Sequence, residues 1–408
     1  MLSGIGQGCL RLFLRALTLG HVLCIRVLRK WRRSPVSQQR PSTVMLTGTF
    51  HSENWLAAHV RPLLESSHCG KVVVVAASPM RLERHPKLHL EFPPEWLRAR
   101  VGPVPARLLT FCYLVLKQKP DVVGGFHLLF NGMFASLLAR IVGARSLYFC
   151  VGGPTEVFHG GRTENRLFAR LGGPDEKIER NLLLVVNEMD QVVTMGPGAK
   201  RFFQDHGVTT RIEVNPGGII RPSSALVDRS AKYDLIFVGR LVPVKDVFLY
   251  LNVVAWLQSR MPRMRAAIVG DGPLRSDLEE YARKLNITEH VTFTGQQSDV
   301  DSILRSARIF LLTSYSEGVS LALMEALGAG LPAIVPDVGD LRAAVVDGVN
   351  GFVIADRSPE PFGLRAYELL QAPQLYANFS NAARASAERF GLAAATKVWD
   401  EVLPQPAG

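Results

Sequence analysis

Ile309-Phe310-Leu311-Leu312-Thr313 is followed by Ser316-Glu317-Gly318-Val319-Ser320-Leu321-Ala322-Leu323-Met324-Glu325-Ala326-Leu327-Gly328-Ala329-Gly330-Leu331-Pro332 and then by Ala333-Ile334-Val335. The first and last runs are continuously apolar and of strand length. Between them a glycine-containing turn opens a helical stretch over Ser320–Leu327. Strands apolar on both faces and joined by a helix are the repeating step of a parallel sheet with helices packed on it. In this step Glu317 falls at the turn and Glu325 two turns into the helix, so both carboxylates reach the same side.

The same alternation extends in both directions. Tyr233–Val238, Arg265–Val269, His290–Phe293 and Gly351–Ile354 read as further strands of that unit, with helical segments between them. Upstream, Thr43–Leu46, Lys71–Ala76, Asp121–Val123, Ser146–Val151, Leu182–Asn187, Gln191–Met195 and Arg211–Asn215 form a second set, with helices over Glu53–Ser66 and Met133–Ile141. Pro216-Gly217-Gly218 through Ser230 is a Pro/Gly/Ser-rich seam that no periodic element claims. At 408 residues the chain is too long for one core. The expected fold is α/β, with two Rossmann-like domains facing across a cleft. The expected domains are 41–218 and 219–385, with a C-terminal helix and tail over 386–408 returning to the first domain and a leader over 1–40. Ligands of such sheets lie at the carboxyl ends of the strands.

The net charge of +11 is concentrated in that leader. Residues 1–40 hold eight basic side chains (Arg11, Arg15, Arg26, Arg29, Lys30, Arg32, Arg33 and Arg40) and no acidic one, so the body is near neutral and nucleic-acid binding loses its support. The longest uncharged run, Ala16 to Ile25, is half of what spans a bilayer. On a helical wheel Arg11, Arg15, Arg26, Arg29 and Arg33 cluster, and Leu10, Phe13, Leu14, Leu17 and Trp31 lie mostly elsewhere. A peripheral helix at an anionic membrane surface, through residues 1–33, is the favoured reading; a transit peptide and a tail share this composition. The five cysteines form no CxxC pair, which fits a reducing compartment.

Within the second unit, Val238-Gly239-Arg240-Leu241 ends a strand, and Lys245 follows. Two cations on a strand-end loop suit a diphosphate and the charge that develops as it leaves. Gly270 and Gly272, in the loop after Arg265–Val269, permit a close backbone approach to a ligand or a tight turn. Free N–H groups at the start of the Ser320 helix suit phosphate oxygens, and Glu317 and Glu325 suit hydroxyls, since carboxylates repel a diphosphate. Asp299-Val300-Asp301 spells a motif of metal-using enzymes but stands where a helix starts, and reads as capping.

Glu317 and Glu325 with seven residues between, with Gly239-Arg240-Leu241…Lys245, resemble the retaining group 1 glycosyltransferases, family 4, of the GT-B fold. Gly270-Asp271-Gly272-Pro273-Leu274, Phe293-Thr294-Gly295, Gly328-Ala329-Gly330-Leu331-Pro332 and Asp347-Gly348-Val349-Asn350-Gly351 extend the resemblance, as does Val214-Asn215-Pro216-Gly217-Gly218-Ile219 more loosely. The resemblance implies a nucleoside-diphosphate sugar as co-substrate and no metal. It implies that Arg240 and Lys245 bind the donor diphosphate, Glu325 the ribose and Glu317 the transferred sugar. Backbone at Gly318, Val319, Ser320 and Leu321 would touch sugar and phosphate, and Gly295 and Gln296 would flank the base.

The first unit departs from the family. Thr47-Gly48-Thr49 offers one glycine, Gly48, where the family often has a pair, and Val151-Gly152-Gly153-Pro154-Thr155-Glu156 lacks the usual histidine. His127 or His159 stands near enough to fill that place, and Gly48 and Glu156 are the acceptor-side candidates. A membrane acceptor, such as a lipid-linked sugar, explains the leader. Two other functions use the same fold: a nucleotide-sugar epimerase, marked by turnover without acceptor, and a silent membrane scaffold, against which the full Arg240, Lys245, Glu317 and Glu325 set speaks.

Overall fold

A computed structural model describes residues 4–29, 40–50, 52–158, 170–219 and 231–405. The chain divides into two compact units, Met1–Gly218 with Leu392–Gly408, and Ile219–Gly391. The return to the first unit thus begins at Leu392 rather than at 386, because the segment before it closes the second unit: Ile219 N–H donates to Phe390 O.

In the first unit seven parallel strands stand in the order β3-β2-β1-β4-β5-β6-β7. They are β1 Ser42–Thr47, β2 Cys69–Val75, β3 Leu88–Glu91, β4 Val122–Phe126, β5 Arg145–Cys150, β6 Gln191–Thr194 and β7 Ile212–Val214. The helices are α1 Gly4–Arg29, α2 Glu53–Glu65, α3 Glu95–Val101, α4 Pro103–Gln118, α5 Met133–Val142, α6 Glu176–Asn187 and α7 Pro197–Asp205. Alternation divides the strand side chains between two layers. Val44 and Leu46 pack with α2. Met45, Val73 and Val123 pack with α4 and α5. Leu182–Asn187 is helical, not a strand, because Asp175 caps a helix upstream by accepting from Ile178 N–H at 3.2 Å. Strand β3 has half-buried residues and no apolar run to announce it.

Helix α1 lies on this unit. Gly6–Leu28 is long and apolar enough to cross a membrane by length and composition. Its Leu14, Thr18, Val22 and Ile25, one stripe at helical spacing, are nonetheless buried. Three of the arginines expected at lipid bond within the unit instead. Arg15 forks onto the fully buried Asp175 at 2.9–3.2 Å, Arg11 donates to Leu171 O at 2.8 Å, and Arg26 pairs with Glu188 at 2.7 Å. Buried Asp175 needs a counter-charge, and this outweighs exposure of the guanidinium groups. Leu14 belongs to the core, whereas Phe13 is exposed. Trp31 and Arg33 lie outside the described residues.

The second unit has six parallel strands in the order β10-β9-β8-β11-β12-β13. These are β8 Tyr233–Val238, β9 Ala266–Val269, β10 Val291–Gly295, β11 Ala307–Leu311, β12 Ala333–Pro336 and β13 Gly351–Ile354. Around them run α8 Val247–Gln258, α9 Arg275–Lys284, α10 Val300–Arg305, α11 Leu321–Gly328, α12 Pro359–Gln371 and α13 Pro373–Ala387. Helix α14, Leu392–Val402, packs on α2 of the first unit, where its Trp399 joins the core beside Phe149. Both sheets are doubly wound. Their order reverses between β1 and β4 and between β8 and β11, and crevices at such reversals take ligands in this fold class.

Candidate functional site

At the β8/β11 reversal two of the sequence-predicted donor residues, Lys245 and Glu317, come together. After β8 the chain makes a single turn, Pro243–Lys245, and Asp246, at φ 44°, starts α8. Lys245 Nζ lies 2.5 Å from Glu317 Oε1, and Ser314 Oγ donates to the same oxygen at 2.6 Å. The two loops are tied by their backbones as well: Tyr315 N–H donates to Val244 O at 2.8 Å. Gly339, at φ 55°, backs the turn; a Cβ there would lie 1.7 Å from Glu317 O.

Arg357, which sequence reasoning missed, holds these loops. Its Nη1 donates to Ser314 O at 2.9 Å, and its Nη2 to Thr313 O at 2.6 Å and to Asp246 Oδ2 at 2.7 Å. The guanidinium also stacks on the Tyr315 ring at 4.1 Å. Arg357 thereby ties the backbone just before Glu317 to Asp246, the residue after Lys245. It follows β13, 40 residues after Glu317, and no local pattern signals it.

Arg240 is exposed at the end of β8. Gly270 and Gly272 are required by close backbone packing. Gly270, at φ 131°, passes so near Gly239 that a Cβ would lie 1.9 Å from its carbonyl oxygen, and one on Gly272 would lie 2.4 Å from Leu241 O. Leu241 N–H donates to Asp271 O, and Leu274 N–H to Leu241 O. These glycines let one loop pack under the Arg240 loop and shape it. Gly295 O accepts from Gly270 N–H, and Gln296 is exposed beyond it.

Gly318, Val319 and Ser320 lead into α11, whose first turn carries the unpaired N–H groups of any helix start; Ser320 makes no side-chain cap. Glu325 is half-buried and its carboxylate has no hydrogen-bond partner among the described residues. Burial pushes this carboxyl up to about 7, and the charge of Asp301 adds to the effect. Asp299 caps α10, accepting from Ser302 N–H at 3.0 Å, and Asp301 pairs with Arg305. Among the described residues no three His, Cys, Asp or Glu side chains are grouped to hold a metal ion.

At the β1/β4 reversal of the first unit, Gly48 follows β1, and its carbonyl accepts from the buried Arg107. Arg107 also reaches Asn131 Oδ1 at 2.6 Å. His127 follows β4 at φ 65°, ψ 141°, a strained backbone for a residue with a side chain, and such strain clusters at functional sites. Its Nδ1 lies 3.0 Å from Glu156 Oε1. Glu156 is buried and also accepts from Gly152 N–H, Leu128 N–H and Tyr148 OH. Burial pushes Glu156 up, but His127 and these donors bring it below the usual carboxylate range. Burial pushes His127 down, and the Glu156 carboxylate more than offsets that, leaving it above its ordinary value. The pair directs Nε2 of a part-exposed imidazole away from Glu156. His159 lies outside the described residues.

Residues 224–386 match the family described as glycosyl transferases group 1. D-inositol 3-phosphate glycosyltransferase of Streptomyces griseus is 34% identical over 168 residues, 38% of this chain and 35% of that protein, so the chain spans about a third of this curated relative. Among solved structures, Anabaena HepE in complex with UDP-glucose aligns with a TM-score of 0.67 at 15% identity, covering 89% of this chain and 99% of that one. WaaG, a glycosyltransferase involved in lipopolysaccharide biosynthesis, aligns at 0.67 and 18% identity, covering 88% and 99%. The structural likeness is one of fold, the GT-B pair of parallel α/β units. The match to the group 1 glycosyltransferases thus lies in the second of those units, and it is there that the chain resembles the family.

Proposed function

We propose that the protein is a retaining, metal-independent hexosyltransferase. It moves a sugar from a nucleoside-diphosphate sugar to a hydroxyl of a membrane-borne, lipid-linked acceptor in polysaccharide or glycolipid assembly. It works peripherally at the cytoplasmic face of a membrane. The observation that carries the reading is the Lys245–Glu317 pair beside the α11 N-terminus, at the strand-order reversal of a group 1 unit. Solved relatives in fold bound to UDP-glucose, and one involved in lipopolysaccharide biosynthesis, support the donor and the acceptor class.

Arg240 and Lys245 take the diphosphate, with N–H groups at the start of α11 on phosphate oxygens. Glu317 holds a hydroxyl of the sugar and Glu325 the ribose. In the reaction the bond from the anomeric carbon to the diphosphate breaks, and the acceptor oxygen bonds to that carbon from the same face. The acceptor proton passes to a leaving phosphate oxygen. The cations stabilise the charge that accumulates there. His127, oriented by Glu156, serves the acceptor side.

A thermal-shift screen of UDP-, GDP-, ADP- and dTDP-sugars tests the donor. A ligand at 100 times its Kd adds roughly 2.7 kcal/mol to stability. Lack of any stabilised pair overturns the transferase reading. Turnover with the selected sugar that needs no acceptor would assign an epimerase instead.

A further inference from the structure

Helix α1 of the first unit buries one side against α5 and α6, and among the described residues no other element packs closely on it. Leu12, Phe13, Leu19, Leu23 and Val27 are between 47% and 66% exposed, and at 100° per residue they fall with Ala16 and Gly20 in an arc of about 140°. That arc holds no charged side chain, and Cys9 and Cys24 lie within it, both exposed. Helix α5 lies between α1 and α4, and α3 adjoins α4. On α4, Leu109, Tyr113 and Leu116 are also exposed, and Trp96 on α3 is 67% exposed.

Isolated exposed apolar residues need no explanation; two stripes on helices that both pack against α5 do. Charge narrows the partner. Among these four helices Glu95 is the one acidic residue, against Arg98, Arg100 and Lys117 on α3 and α4. An apolar face with a basic, acid-poor rim and aromatic residues complements acyl chains beneath anionic headgroups. Arg11 and Arg15, bonded to Leu171 and Asp175, are already engaged within the unit.

We propose that the α1–α5–α4–α3 layer is a bilayer-docking surface into which the uncharged arc of α1 inserts, with Trp96 and Tyr113 at headgroup level. This deepens the peripheral-membrane reading above and rests on it. Attachment is therefore led by apolar burial, which salt does not screen, and not by the leader's cations.

The test uses full-length protein and vesicles of about two parts phosphatidylcholine to one part phosphatidylglycerol. Co-sedimentation should change less than about twofold between roughly 0.1 M and 1 M NaCl. Leu19→Gln with Leu23→Gln should weaken it at least about tenfold. An environment-sensitive dye on Cys24, with Cys9 and Cys112 replaced by Ser, should shift to the blue and be quenched by acyl-chain spin labels. Loss of sedimentation at high salt overturns the proposal, as does wild-type sedimentation of the double variant. A dimer abolished by those two substitutions, with no vesicle binding, assigns the face to a second copy and overturns it too. Nucleoside-diphosphate affinity of the same samples reports separately on the transferase reading, whose failure would leave the vesicle result intact.

Discussion

Lys245 Nζ and Glu317 Oε1 are 2.5 Å apart, which makes the cation assigned to the diphosphate and the carboxylate assigned to the sugar one ion pair. A diphosphate must therefore compete with Glu317 for Lys245. Lys245→Ala should weaken UDP or GDP binding by about 1.5–3 kcal/mol, roughly ten- to a hundredfold or more in Kd. Glu317→Gln should leave the free nucleotide bound as well or better, because it releases the ammonium, and should lower turnover through the lost sugar contact. Calorimetry on both single variants and the double one checks this. Equal losses of nucleotide affinity in both singles would overturn the division of roles.

Arg357 bonds two carbonyls and Asp246 and stacks on Tyr315, so its removal strands several polar groups at once. Arg357→Ala should cost about 1–3 kcal/mol of stability and raise the donor Kd. Arg357→Lys should rescue little, because an ammonium cannot fork onto three acceptors in one plane or stack as a guanidinium does. Chemical denaturation and nucleotide titration report the two effects. Full rescue by lysine would show that the charge alone matters.

Much of this architecture is legible in the residues. Strands β8 and β13 have the bounds read from their apolar runs, because a strand buried on both faces leaves an unbroken signal. Leu182–Asn187 misleads for the same reason, since a buried helix end is apolar too; the cap at Asp175 is the discriminating mark. The wheel of α1 groups its arginines but cannot say which side faces water. That is decided by Asp175, 160 residues from Arg15. Arg357 and Gly339 act on Glu317 through contacts that only the folded chain creates.

Glu325 provides a pH test. Its carboxyl is raised from an ordinary 4.5 to about 7, chiefly by burial, so the folded chain keeps a proton that the unfolded chain has lost. The associated stability is full below about 4.5, declines as pH rises toward about 7, and is level above that. Glu325→Gln has no such proton. Its melting temperature relative to wild type should rise across this window and stay constant outside it. A difference that is flat with pH would show that Glu325 titrates normally.

His127 should affect turnover more than donor binding. His127→Gln is expected to lower the rate with nucleotide affinity unchanged. Glu156→Gln removes the carboxylate that holds the imidazole above its ordinary pKa, so the His127 NMR titration should move to lower pH. The rate profile should move with it if the imidazole serves the acceptor. A shifted titration with an unshifted rate profile would make the pair structural.

Asp175 joins two jobs that one substitution can separate. It caps α6 through Ile178 N–H, and its charge holds Arg15 and Arg11 of α1. Burial pushes its carboxyl up, but the hydrogen bonds from Arg15 and Ile178 bring it below the usual range. Asp175→Asn keeps the cap, since asparagine caps as well as aspartate, and removes only the charge. It should loosen α1 by about 1–3 kcal/mol, the partly exposed arginines recovering some hydration. Asp175→Ala loses the cap as well, for about 1 kcal/mol more, and should destabilise α6. Ionisation of Asp175 stabilises the fold above its ordinary range, and that stability fades as pH falls through its lowered pKa. Acid should therefore release α1 in wild type and change little in Asp175→Asn. Hydrogen exchange of the Leu14–Ile25 amides measures both effects. Equal protection in wild type and Asp175→Asn would mean that Leu14, Val22 and Ile25 hold the helix by apolar packing alone.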